Sequence, residues 1–478
     1  MNENNEISRR DFIKRTAVGT AGLSLGGSIY GGTGAAADVS GNLLADVIRA
    51  GESNNCRPWT PRAVLMPHCR LSESDNGPAF QVESNGSIGC HGGWELVCNN
   101  VTPGKTYRVR LTARLENIAH PVEDISPEIF FMGADGKITD WYFIEAVGSA
   151  GEVIEFEHRA VAPPETARIV IRLILRWTAH GSATFTNIQL TTTDPIPDRK
   201  IRVSVAAGLK QHRTIEANID NCLATAARAA DKGARLILFP EIVTSMGVPG
   251  DNWDKARPIP GPETDRFAAF ARDKKICISL SMEEANGDIV HNTGLVFDSE
   301  GRIRLKYRKL QIAIGERWRG ITPGDSLPVA TLPFGCVGMQ ICYDNAHPET
   351  MRVLARQGAE IVLLPIMGDP RASVEGIGWV REKWEWIMRM RALDNHVWLL
   401  VARNEGELSY IINPAGDIVA SMNKGQDLIT ADIDLNFRTW SWIDSDFYNR
   451  YWRERRPSAY ESMSSTDFRI TPQIKESD

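Results

Sequence analysis

An α/β domain whose sheet is covered by helices, preceded by an antiparallel β-sandwich, is the fold this sequence predicts, and three observations predict it. From Asp38 to about Asp194, apolar residues alternate in short runs separated by turn residues, the period of half-buried strands. From Ile201 onward, short apolar runs alternate instead with stretches of helical spacing, and repeated strand–helix alternation indicates a sheet packed under helices. Between the two lies TTTDPIPDRK, Thr191 to Lys200, a polar, proline-bearing linker. The expected division is therefore 1–37 leader, 38–195 sandwich, 196–460 α/β domain and 461–478 tail.

The first 37 residues stand outside the fold. Ser8-Arg9-Arg10-Asp11-Phe12-Ile13-Lys14 precedes a Gly-rich apolar run from Thr16 to Tyr30, and Ala35-Ala36-Ala37 offers small residues to a signal peptidase. The segment resembles a twin-arginine export signal, which implies a periplasmic or extracellular protein delivered already folded. Its apolar run is too short and too rich in glycine to anchor in a bilayer of ~30 Å. Folding before export lets free thiols be packed before they meet an oxidant. Eight cysteines in 478 residues do not make a disulfide scaffold. Four of them, Cys56, Cys69, Cys90 and Cys98, crowd the N-terminal region, where one or two bridges are open but no pairing follows from sequence.

In the sandwich region YRVRLTARL (Tyr107 to Leu115), PEIFFMGADGK (Pro127 to Lys137), EVIEFEHRAV (Glu152 to Val161), ARIVIRLIL (Ala167 to Leu175) and GSATFTNIQL (Gly181 to Leu190) read as strands. Turn signals such as Pro103-Gly104, Asp135-Gly136 and Pro163-Pro164 fall between them. No stretch has helical spacing. The region resembles the jelly-roll sandwiches that accompany secreted carbohydrate-active enzymes, which makes a glycan a candidate ligand. Trp59, Trp94, Trp141 and Trp177 are the rings that could stack on sugar, although such residues more often belong to a core.

In the second region IRVSVAAGL is a strand, and Glu216 to Asp231 places Ile219, Leu223, Ala226, Ala227 and Ala230 on one helix face ended by Gly233. ARLILFPE follows as a buried strand. Next come a helix over Pro262 to Asp273, ICISLSME, a hairpin at Asn286-Gly287, TGLVFD, RIRLKYRKLQ, CVGMQICYD, a helix from Pro348 to Gln357, and AEIVLLP. Apolar content of 42% with 24% charged residues suits real cores, and a net charge of −6 with scattered Lys and Arg excludes a nucleic-acid binder.

Three strands of this region end in a chemically competent side chain: Glu241 after LILFP, Lys309 after LKYR, and Cys342 after GMQI. Strand ends are where α/β proteins assemble sites. Taken alone, Cys342 reads as a buried thiol, Glu241 as a helix cap and Lys309 as one charge of a solvated run. LILFPE, YRKLQ and QICYD in this order, supported by ERWRGITPGD, LLP, RALDN, VARNEGELSYIINPAGDIVA and RRPSAY, resemble the nitrilase superfamily of carbon–nitrogen hydrolases from about 201 to 460. That resemblance implies a nitrilase-type α-β-β-α sandwich and a cysteine-dependent amidase that needs no metal or cofactor. An amide carbon is a poor electrophile, so a polarizable thiolate suits the attack, provided that a base activates the thiol.

The resemblance makes Cys342 the nucleophile, Glu241 the general base and acid, and Lys309 with the Tyr343 N–H the oxyanion stabilisers. Glu316 would hold the lysine or orient substrate. Tyr343, Asn345, Ala346, His347 and Trp379 are the expected substrate-binding residues. Ala346 and His347 stand where amidase-like members carry Arg and Phe, so substrate preference is expected to differ there. Tyr343-Asp344 after the cysteine favours an amide or carbamoyl substrate over a nitrile. His347 invites a Cys–His pairing, but a helix N-terminal position is the plainer role. Trp379, Trp384 and Trp386 are candidates to line an acyl pocket. The aromatic-rich stretch Phe437 to Tyr460 suggests docking onto the domain or a second subunit, and a homo-oligomer is expected. Two other readings stand beside the hydrolase: an acyltransferase using the same thioester, and a non-catalytic glycan-binding or envelope scaffold.

Overall fold

The computed structural model describes residues 41–74, 77–368, 381–438 and 447–464. The chain divides into two compact units: one holds residues 37–197 together with the chain from Trp440 on, and the other holds Asp198–Thr439.

The first unit contains helix α1 (Ala45–Ala50), strands β1 (Cys56–Trp59), β2 (His68–Ser74), β3 (Gly77–Glu83), β4 (His91–Cys98) and β5 (Thr106–Glu116), then helix α2 (Pro121–Asp124). Strands β6 (Ile125–Met132), β7 (Ile138–Phe143), β8 (Glu145–Ala150), β9 (Val153–Val161), β10 (Arg168–Arg176) and β11 (Ser182–Thr193) complete it. They form two antiparallel sheets, β1-β4-β10-β6-β7 and β2-β3-β11-β5-β9-β8. Strand β5 shows why: Tyr107, Val109, Leu111, Ala113 and Leu115 alternate inward and are buried. Both sheets give side chains to one core, where Phe80 of one meets Trp94 of the other edge-on at 5.4 Å. The two short helices carry no extended apolar face, which is why periodicity did not announce them.

Trp94 belongs to this core, while the other three candidate sugar platforms carry guanidinium groups on their rings. Arg172 lies 3.9 Å from Trp59, Arg176 4.0 Å from Trp177, and Arg450 5.0 Å from Trp141. All eight cysteines are free, so none of the bridges left open by the N-terminal cluster is formed. Burial pushes the thiols of Cys56 and Cys69 up, to about 11 and about 12.

The C-terminal segment corrects the expected domain division, which assigned 196–460 to the α/β domain. Residues 447–464 pack on the first unit as a strap. Asn449 pairs with the backbone of Phe143, accepting from its N–H at 2.9 Å and donating to its carbonyl at 2.8 Å. Arg450 bonds Asp140, and Arg453 donates to the carbonyls of Val122 and Ile125. Glu123 accepts from Arg456 at 2.6 Å and from the Ser458 N–H at 2.9 Å. The physical reason is the unit's own edge: β7 and α2 present carbonyls and buried carboxylates that these side chains satisfy.

The second unit opens with β12 (Lys200–Ala206), α3 (Ile215–Asp231), β13 (Leu236–Leu238), α4 (Asn252–Lys255), α5 (Pro262–Lys274), β14 (Cys277–Asn286), β15 (Ile289–Phe297) and β16 (Ile303–Arg308). It continues with α6 (Ile314–Trp318), β17 (Val329–Leu332), β18 (Gly335–Met339), α7 (Pro348–Arg356), β19 (Ile361–Ile366), α8 (Arg381–Asn395), β20 (Trp398–Arg403), β21 (Tyr410–Ile412), β22 (Ile418–Ser421) and β23 (Leu428–Asp434). The sheets run β16-β15-β14-β13-β12-β23 and β17-β18-β19-β20-β21-β22. Strands β12, β13 and β14 are mutually parallel, as are β18, β19 and β20.

The sheets share a core in which Val203, Leu238, Met339, Ile341, Leu363 and Leu400 are fully buried. A second core, with Ile219, Cys222, Phe267 and Phe297, lies between the first sheet and helices α3 and α5. Thr214 caps α3 by accepting from the Ala217 N–H. The layering is helix, sheet, sheet, helix. Gly294 marks a close approach of the sheets, since a Cβ there would lie 2.0 Å from Met339 Sδ.

Candidate active site

The ends of three strands place the predicted side chains together. Strand β13 is all apolar, and the chain leaves it through Phe239 and Pro240, so Glu241 is carried off the sheet yet remains 2% exposed. Ile242 is held at φ +43° while its N–H donates to Ser281 Oγ at 2.8 Å. Lys309 follows β16 directly. Its N–H donates to the Asn292 carbonyl at 2.8 Å and its own carbonyl accepts from Gly324 at 2.9 Å, so both its backbone groups are fixed. Cys342 comes three residues after β18 and opens a short 3-10 turn, Cys342–Ala346. Its φ is +48°, a conformation that costs a non-glycine residue on the order of 1–3 kcal/mol and persists only where the surroundings enforce it.

Asp344 is what enforces it. This buried carboxylate accepts from the Ile341 N–H at 2.8 Å, the Gln311 N–H at 2.7 Å and the Tyr307 hydroxyl at 2.6 Å. One side chain thus ties the loop before Cys342 to the loop after Lys309. Burial pushes the Tyr307 hydroxyl up, as does the facing Asp344, so it remains a donor.

Lys309 Nζ lies 2.9 Å from Glu241 Oε1 and 2.7 Å from Glu316 Oε2. Asn292 Nδ2 bridges the same two carboxylates, donating to Glu241 Oε1 at 2.7 Å and to Glu316 Oε1 at 3.0 Å. The other oxygen of Glu241 accepts from the Met367 N–H at 2.5 Å. Two of the three ammonium N–H donors of Lys309 are used by carboxylates, leaving a third. Burial pulls Lys309 down, but the carboxylates facing it, Glu241 foremost and Glu316 with it, outweigh this and hold the ammonium charged.

The charge count governs the thiol. Two carboxylates face one ammonium, and a thiolate would add a second uncompensated negative charge. Burial pushes the Cys342 thiol up, the Glu241 carboxylate adds to it, and the attraction of Lys309 does not reverse it. The Glu241 carboxylate lines the same cavity as the thiol. The resting arrangement is therefore a thiol sharing its cavity with a carboxylate, suited to losing its proton during attack rather than before.

These groups open on a cavity of about 480 Å³. Glu241, Lys309, Glu316 and Cys342 line it, with Ile242, Ile314, Ile366, Met367 and Trp384 as apolar wall. Of the expected binding residues, Tyr343 and Ala346 line the cavity. Asn345 does not; it is fully buried beneath the turn. His347 also lies off the cavity wall and caps α7, with Nδ1 3.3 Å from the Tyr343 carbonyl rather than against the thiol. Trp379 lies outside the described residues. Trp386 is exposed, whereas Trp384 does form wall.

Asn292, Tyr307 and Glu283 were not singled out from sequence, and Asp344 enters there only, with Tyr343, as a sign of substrate class. Asn292 had a signal, because IVHNTGLVF is an apolar strand interrupted by polar residues on the way to YRK. Tyr307 and Asp344 stand inside the quoted motifs, but only the fold shows that they touch.

Residues 204–439 match the family model described as carbon–nitrogen hydrolase. The match ends short of the late RRPSAY, which lies in the strap. The omega-amidase NIT2 of Xenopus tropicalis is 28% identical over 238 residues, 46% of this chain and 84% of that protein. The human omega-amidase NIT2 is 26% identical over 236 residues, 46% of this chain and 83% of that one. The bifunctional nitrilase/nitrile hydratase NIT4B of Lupinus angustifolius is 26% identical over 317 residues, 54% of this chain and 87% of that protein. Among solved structures, an amidase from Nesterenkonia sp. matches with a TM-score of 0.45 and 23% identity, covering 56% of this chain and 98% of that one.

Proposed function

We propose, for a chain that is an enzyme of the carbon–nitrogen hydrolase family through its residues 204–439, that it hydrolyses amide or carbamoyl substrates through a thioester on Cys342. The observation that carries this is the convergence of Glu241, Lys309 and Cys342 on one cavity, with Lys309 Nζ 2.9 Å from Glu241 Oε1.

Glu241 takes the thiol proton as sulfur attacks the amide carbon, and the carbonyl oxygen gains negative charge facing the third N–H of Lys309 and the Tyr343 N–H. Collapse breaks the C–N bond, and the proton held on Glu241 goes to the leaving nitrogen, which departs as ammonia. Water then gives a proton to Glu241 and its oxygen to the thioester carbon, and the acid leaves as Cys342 recovers its proton. Glu316 and Asn292 hold Lys309 and Glu241 in register throughout. Tyr343-Asp344 after the cysteine supports an amide rather than a nitrile, while the relatives include both omega-amidases and a bifunctional nitrilase/nitrile hydratase. The reading includes export by the twin-arginine route, supported by Arg9-Arg10 and the segment that follows.

Intact-mass spectrometry of the protein against a panel of small amides, with ammonia measured in parallel, tests the chemistry. An acyl adduct that maps to Cys342 and disappears in Cys342→Ala together with ammonia release is the expected result. Ammonia release that survives Cys342→Ala would sink it.

A further inference from the structure

The mechanism leaves one buried acid of the cavity unused. Glu283, on β14, lines the same cavity as Cys342 and is 3% exposed. Its Oε2 accepts a hydrogen bond from Ser245 Oγ, and its Oε1 has no partner. Unpaired buried oxygens are costly, and folded proteins keep few of them without a reason. Glu283 stands directly across from Asn292 in the β14–β15 pair. Opposed residues of an antiparallel pair share a face, so Glu283 flanks the amide that holds Glu241 and Glu316 without bonding either carboxylate.

Burial pushes the Glu283 carboxyl up and the Glu241 charge pushes the same way, against the Ser245 hydrogen bond, the residue's own N–H and Lys255. This favours the protonated acid, with Oε1 as a donor. Ile242, Ile321, Ile366 and Met367 line the same cavity and offer an acyl chain apolar contact, with Asn252, Arg319 and Arg403 as its other polar lining.

We propose that Glu283 is a specificity-determining residue whose Oε1 donates a hydrogen bond to an oxygen, hydroxyl or carbonyl, on the acyl part of the amide substrate. The inference rests on the proposed function in one respect, that this cavity receives the acyl group. A purely structural role, pinning Ser245 behind Glu241, would affect stability and overall binding but would not distinguish an oxygen-bearing chain from a bare one.

The test is calorimetric binding of butyramide, 3-hydroxybutyramide and 4-hydroxybutyramide to Cys342→Ala protein, alone and combined with Glu283→Gln or Glu283→Leu. Thermal unfolding confirms that each variant is folded, and Glu283→Ala replaces the leucine variant should that one fail. With Glu283 present, one hydroxyamide is expected to bind roughly ten- to a hundred-fold more tightly than butyramide. Glu283→Gln, which can present an N–H at the same place, keeps that preference, and Glu283→Leu abolishes it. No preference with Glu283 present, an unchanged preference in Glu283→Leu, or no binding of any of the three overturns the inference. Loss of the preference in Glu283→Gln as well overturns the donor assignment. Failure of the proposed function is read separately, as the absence of ammonia and of an acyl adduct when Cys342 is intact.

Discussion

Replacing Asp344 by asparagine keeps its shape and removes one acceptor, which makes it a sharp probe of how the nucleophile is held. Asp344 Oδ2 accepts from the Tyr307 hydroxyl and the Ile341 N–H, and Oδ1 accepts from the Gln311 N–H. An asparagine has one oxygen, so its best placement keeps the first two donors and sets its NH₂ against the third. One hydrogen bond to a charged group, worth about 1.5–3 kcal/mol, is lost, and the two that remain weaken by about 1 kcal/mol each as the charge goes. Relief from burying a carboxylate returns part of this, and the expected net destabilisation is about 3 kcal/mol. The activity should fall further than stability alone explains, because the freed Gln311 N–H lies two residues beyond Lys309 and the loop before Cys342 loses its tie to it. Slack on the order of 1 Å between reacting groups costs about a hundred-fold in rate. Urea unfolding and kcat/KM for an amide substrate measure the two effects. An Asp344→Asn protein with an unshifted midpoint and kcat/KM within about threefold of the parent would refute the clamp argument.

The φ of +48° at Cys342 predicts that Cys342→Gly is more stable than Cys342→Ala by about 0.5–1 kcal/mol, measured by denaturant unfolding; a more stable alanine variant contradicts enforced strain. Gly294→Ala drives a methyl into Met339 between the sheets and should lower stability by about 1–2 kcal/mol, with an unchanged melting temperature as the contrary result. Because burial and Glu241 hold the Cys342 thiol up, the thiolate is scarce at neutral pH and gains as pH rises toward the raised value. Alkylation of Cys342 by iodoacetamide should therefore accelerate about tenfold per unit between roughly pH 7 and 9, while amide turnover, with Glu241 as base, should not follow it. A flat alkylation rate across that range indicates a preformed thiolate instead.

The parts of the second unit that sequence conveyed were those set by local period. Glu216 to Asp231 carries a full helix face and forms α3, and LILFP, LKYR and GMQI are apolar enough to be buried strands whose ends must emerge. What brought Glu241, Lys309 and Cys342 into one list was resemblance, since their spacing alone pairs nothing. The groups that complete the site escaped for a different reason. Asn292 reaches Glu241 only because β15 lies across from β14, and Tyr307 meets Asp344 only because two sheets stack, so neither contact leaves a mark on neighbouring residues. Asn345 and His347 share the stretch after the nucleophile with Ala346, yet the 3-10 turn aims only some of its side chains at the cavity. The strap was the furthest from view. Arg456 and Glu123 are joined over 333 positions, and an arginine-rich, aromatic segment reads alike whichever surface receives it.

That strap makes the first unit discontinuous: the enzyme domain is inserted into it, between β11 and the strap residues 447–464. During synthesis from the N-terminus, β1 to β11 emerge early, but Asn449, Arg450 and Arg456 emerge only after residues 198–439 have been made. At about 5–20 residues per second the interval is roughly ten to fifty seconds. Throughout it Asp140, Glu123 and the edge of β7 wait without the side chains that finally satisfy them. Completion of the sandwich is in this sense a record that the whole enzyme has been translated, and a chain cut short inside the catalytic domain would be left with an unfinished N-terminal unit as well.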